Sequence, residues 1–162
     1  MRCTLLVLTL VASGTALASS PFDTFKEMAK QQANQQVESR LNMPQAAPAN
    51  AKATIISPKA DETVTSPVRV VFGLSNMGVA PAGTNQTGTG HFHLLIDEPT
   101  INMAQPIPAN AQVLHYGGGQ IEALVDLKPG KHTLQLLMGD WKHLPHQPAV
   151  LSDKVVITVK AK

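Results

Sequence analysis

Thr89-Gly90-His91-Phe92-His93-Leu94-Leu95-Ile96-Asp97 is the stretch that decides the reading of this chain. Phe92, Leu94 and Ile96 alternate with His91, His93, Leu95 and Asp97. A period of two is that of a β-strand with one face in a core. The same alternation runs through residues 68–75, where Val68, Val70, Phe72 and Leu74 share a face. Working outward, strands are predicted over 53–57, 112–116, 120–127, 132–138 and 154–160. Turn signals such as Lys128-Pro129-Gly130 and Gly117-Gly118-Gly119 separate them. Seven short strands at this spacing predict an all-β domain over 53–162, an immunoglobulin-like antiparallel β-sandwich.

The segment ahead of the domain has a different character. Arg2, the apolar run from Leu5 to Ala12 and the Ala16-Leu17-Ala18 cleavage pattern predict a signal peptide over 1–18. That run is too short to span a bilayer, and no later segment is long enough, so no transmembrane segment is expected. The chain is therefore expected to be periplasmic or secreted. Residues 19–42 predict an amphipathic helix, with Pro21 and Asp23 suited to a first turn and Thr24 to Glu27 fitting a capping box. Residues 43–52, rich in Pro and Ala, read as a linker.

Composition removes several classes of function. The chain has one cysteine, Cys3, inside the expected leader, so the mature protein has neither a disulfide nor a thiolate metal site. The formal charge of +2 falls by one when Arg2 is cleaved, which gives no drive toward nucleic acid. No serine sits in a nucleophile-elbow pattern, and no carboxylate pair is placed for glycoside chemistry.

The histidines remain. If successive strands alternate in direction, residues 76–90, Gly117 to Gly119 and residues 139–150 connect strands at one end. That end gathers His91, His93, His115, His143 and His146, and His132 falls at the other. His91 and His93 share a strand face and are spaced to ligate one metal ion. His115 is a third candidate, and His143 and His146 lie in a loop stiffened by Pro145 and Pro148. The plainer alternatives are solvent-facing histidines on an outer sheet face and a loop that caps the sandwich. His132, just after the Lys128 turn, reads as a structural corner residue, and Asp97 as a solvated strand-end carboxylate.

Several motifs resemble those of a known family. Met77-Gly78-Val79-Ala80-Pro81-Ala82-Gly83-Thr84 is one, and Thr89 to Asp97 is another. His115-Tyr116-Gly117-Gly118-Gly119-Gln120, Pro129-Gly130-Lys131-His132-Thr133-Leu134-Gln135-Leu136 and residues 139–146 recur in the same order. Together they are similar to the bacterial exported family called domain of unknown function 4399, over residues 53–160. The resemblance implies export and brings no activity with it. The family often carries three successive histidines where this chain has His91-Phe92-His93. Phe92 belongs to the core face, so the middle position is not expected to be a ligand.

The leading expectation is a non-enzymatic binding module holding Cu2+ or Zn2+ through His91, His93 and His115, with His143 or His146 completing the shell. Intrinsic affinity favours Cu2+ for an all-nitrogen set. A second expectation is a metal-free envelope domain that binds a protein partner. A third, by architectural analogy alone, is a copper-dependent redox enzyme of the superoxide dismutase type.

Overall fold

The computed structural model describes residues 21–40 and 43–161. The expected signal peptide over 1–18 lies outside the described residues. Helix α1 (Pro21–Arg40) has Pro21 in its opening turn. Pro is favoured there because its missing N–H has no intrahelical partner anyway. Thr24 therefore sits inside the helix rather than at its cap. Among the described residues no helix is long and apolar enough to cross a membrane.

The expected strands form, with two short additions. In chain order they are β1 (Lys52–Ser57), β2 (Thr63–Thr65), β3 (Val68–Ser75), β4 (Gly78–Val79), β5 (Thr89–Ile96), β6 (Val113–Tyr116), β7 (Glu122–Val125), β8 (Gly130–Gly139) and β9 (Val155–Lys160). One sheet has the order β1-β3-β7. The other runs β2-β9-β8-β5-β4, with β6 also paired to β5. The long pairings are antiparallel, as alternation predicts, whereas β2 on β9 and β4 on β5 are parallel. Both additions are too short to leave a periodic signal in the sequence.

The two sheets enclose one core. Ala53, Ile55, Val68, Val70, Phe72 and Val125 from the first meet Phe92, Leu94, Ile96, Leu134, Leu136, Met138, Ile157 and Val159 from the second. Phe72 bridges the layers, with ring centroids 5.1 Å from Phe92 and 5.0 Å from Tyr116. Each fully buried side chain of this kind contributes roughly 1.5–3 kcal/mol relative to exposure. A cysteine-free domain has this layer as its main source of stability.

The far face of the larger sheet is also covered, which the alternation did not reveal. Leu95, Ile107, Val113 and Leu137 make a second, smaller core, with Ile101 and Leu151 packed against it. The segment 98–111 leaves β5 at the pole away from the histidines, so strand alternation alone predicts that it stays there. It instead crosses this face and reaches the histidine rim, where the Ile107 N–H donates to the carbonyl of His143 at 2.8 Å. Residues 45–47 are likewise paired, with Ala47 donating to the Gln147 carbonyl and Gln147 donating to that of Gln45.

The opposite pole carries a polar corner. Asp97 has φ 57° and Glu98 φ 55°, so two left-handed residues turn the chain out of β5. Asp97 is more than the solvated carboxylate expected of it. Nδ1 of His132 lies 3.0 Å from its carboxylate, and the Thr133 N–H donates to it at 3.1 Å. Nε2 of His132 lies 2.8 Å from the Lys128 carbonyl oxygen, which gives the corner role read for this residue its physical form. Asp97→Ala should lower unfolding free energy by about 0.5–1.5 kcal/mol in urea titration, since it removes the partly exposed bonds to the His132 ring and the Thr133 N–H.

Candidate metal centre

Register brings the first three rings together. In β5, His91 stands opposite Gly139 of β8, and His93 opposite Leu137. On its other edge His93 pairs directly with His115 of β6. Directly opposed residues on one face have Cβ atoms about 4.5–5.5 Å apart, so this pairing alone sets the two imidazoles side by side. His91 is two residues along the same face. Ring centroids are 4.9 Å apart for His91 and His93, 5.0 Å for His91 and His115, and 5.0 Å for His93 and His115.

A tight loop supplies the fourth ring. Asp140 is fully buried. Its Oδ1 accepts from the N–H groups of Lys142 at 2.8 Å and Leu144 at 2.9 Å, and its Oδ2 from the Gln45 N–H at 3.2 Å. Aspartate folds a turn in this way by bonding the backbone just ahead of it. The Asp140 N–H also donates to the Leu144 carbonyl, and the His143 N–H to that of Asp140. Within this turn His143 takes φ 68°, a left-handed conformation uncommon for a residue with a Cβ. Its ring then points at the cluster, with Nε2 3.2 Å from Nε2 of His115. Centroid distances are 4.7 Å to His115, 4.8 Å to His91 and 6.1 Å to His93.

His146 is placed differently. Its Nε2 lies 3.1 Å from the Thr89 carbonyl oxygen and its Nδ1 3.5 Å from that of Met138. Its ring ties the loop to β5 and β8 instead of joining the other four.

Glycines make the room. A Cβ at position 139 would stand 2.8 Å from Cε1 of His93. One at position 90 would stand 2.7 Å from Cε1 of His146 and 2.6 Å from the Gly139 carbonyl oxygen. No rotamer change relieves a clash with backbone, so Gly90 is closed to any side chain. Gly139→Ala would push the His93 ring out of register. Changes in the groups that orient metal ligands cost about 10–100-fold in affinity, and any ion held by this cluster should lose as much in chelator competition.

The rings differ in exposure. His91 and His93 are fully buried, His143 is half-buried and His115 is exposed. Both ring nitrogens of His91 and both of His93 are buried without a hydrogen-bond partner. Burial, and then the neighbouring His143, His115 and His146, lowers the His91 pKa to about 4. Burial and then His91, His115 and His143 lower that of His93 to about 2. Partial burial and His143 lower His115. Burial also lowers His146, against the opposing pull of the Met138 carbonyl, Asp140 and the Thr89 carbonyl. At neutral pH these imidazoles are uncharged, the form that ligates a metal. The candidate ligand nitrogens of His91, His93 and His115 all lie within 4.8 Å of one another, so these three could hold a metal ion.

Sequence reading missed the parts that hold the site in place. Asp140, two residues before Lys142 and three before His143, was the available turn signal. Gly139 could have been suspected only once the register with β5 was known. Nothing in the sequence announces that Ile107 and Gln45 reach this rim.

Fold and site together define an all-β sandwich with a histidine cluster at one rim, half sunk in its interior. The chain belongs to the family described as Domain of unknown function (DUF4399), whose family model matches residues 70–160. The match spans β5, β6, β8 and the loop to β9, and so includes all five rim histidines. No curated protein and no solved structure matches the chain.

Proposed function

We propose that the protein is a secreted or periplasmic binding module that holds Cu2+ or Zn2+ through His91, His93, His115 and His143. One observation carries this reading: four ring nitrogens are buried with no partner in the middle of a histidine cluster. An unsatisfied buried polar group costs about 1–3 kcal/mol, and native structures seldom carry such groups without a use. A metal ion would take one lone pair from each ring. Zinc and copper both accept imidazole, and affinity order favours Cu2+. His146 supports the loop in this reading and is not a ligand. The signal-peptide pattern at residues 1–18 supports export, and the role is one of binding, not catalysis. Elemental analysis of protein purified from its native compartment, with calorimetry of the metal-free protein, tests the proposal. One bound ion per chain with affinity well below micromolar is expected. Absence of binding above micromolar strength by either ion rejects it.

A further inference from the structure

We propose that the metal centre accepts a small exogenous monoanion as an additional ligand on its rim side, an inference that rests on the metal-binding reading above. The ligand set is lopsided. His91 and His93 form a fully buried floor, whereas His115 is exposed and His143 half-buried. Gly117 packs against the His115 ring with Ala82 beside it, and neither has the bulk to cover its outer edge. An ion between floor and rim is reached by solvent from the rim alone.

Charge supplies the second argument. Imidazole ligates without negative charge, so a divalent ion held by four of them would keep its whole charge in a setting that is half desolvated. Burying uncompensated charge is costly. The nearby buried carboxylate is not free to join the ligand set, because Asp140 already accepts three backbone N–H groups. Asp97 is committed to His132 and Thr133 at the opposite pole. The groups acting on His91 and His93 are other histidines, not acids. None of the four ligands carries a negative charge, and the side on which His115 is exposed is where an anion from solution would reach the ion. Cu2+ would suit this case, since it can take a further ligand beside nitrogen donors.

Azide is the probe. The full mature chain is loaded with Cu2+, freed of excess metal and titrated with sodium azide, following charge-transfer absorption and the electron paramagnetic resonance spectrum. A saturable one-site change is expected in both. Ala82→Leu, which adds bulk beside His115, should weaken azide binding several-fold while copper stoichiometry holds. Copper retained with spectra that azide leaves unchanged overturns this inference alone. Failure to retain copper overturns it together with the metal-binding reading. An azide signal of equal strength in the double variant His91→Ala, His93→Ala also overturns it, since that signal would come from surface copper.

Discussion

Replacing His91 and His93 together by Ala is expected to take metal uptake from one ion per chain to background. The two rings are the buried floor of the cluster, and each offers one nitrogen that no protein group occupies. Outer groups that merely orient ligands are worth about 10–100-fold in affinity, and the loss of two direct ligands should exceed that range. The remaining pair, His115 and His143, have Nε2 atoms 3.2 Å apart and lie at the exposed rim. They would bind an ion loosely, as surface histidines do. Competition against a chelator, with circular dichroism to verify the fold, measures the effect. Unchanged affinity in a folded double variant would place the metal elsewhere.

Acid should destabilise the metal-free protein progressively as pH falls from 6.5 toward 4. In the unfolded chain both rings take a proton near pH 6.5. In the fold His91 does so only near pH 4 and His93 near pH 2. Between these limits the unfolded chain binds protons that the folded chain refuses, so stability falls as pH falls. The contribution of these two neutral rings is whole above pH 6.5 and erodes continuously toward pH 4. At ~1.4 kcal/mol for each unit by which a pKa is lowered, the loss by pH 4 is several kcal/mol. Urea midpoints at pH 7, 5.5 and 4 should drop in sequence. The double alanine variant should lose most of that slope, and if it keeps the slope, other groups set the acid sensitivity. A bound ion adds about 2.7 kcal/mol at 100 times its dissociation constant. That protection should also vanish on acidification, because protons compete for the same lone pairs.

The sandwich was legible because its strands alternate. Phe92, Leu94 and Ile96 stand in the core, where the period of two put them. Direction reversal alone brought His91, His93 and His115 to one rim, since antiparallel pairing leaves little freedom once the strands are placed. Leu95 shows where periodicity stops being informative. It shares a face with both histidines, and that face is covered by segments whose path no local pattern encodes. His143 and His146 are three residues apart in one loop and looked equivalent in sequence. The local Asp140 turn aims His143, and the carbonyls of Met138 and Thr89 hold His146, the second of them 57 residues away along the chain.

The orphaned nitrogens of His91 and His93 set a limit on evolution as well. If shape were all that selection had preserved, hydrocarbon side chains would serve better at both positions, next to Leu95 and Leu137. His91→Leu with His93→Leu should accordingly melt higher than the natural metal-free chain, at the cost of its appetite for cations. Lineages that abandon metal should drift toward such apolar pairs, and lineages that keep the imidazoles carry a weakness that only a retained task would sustain.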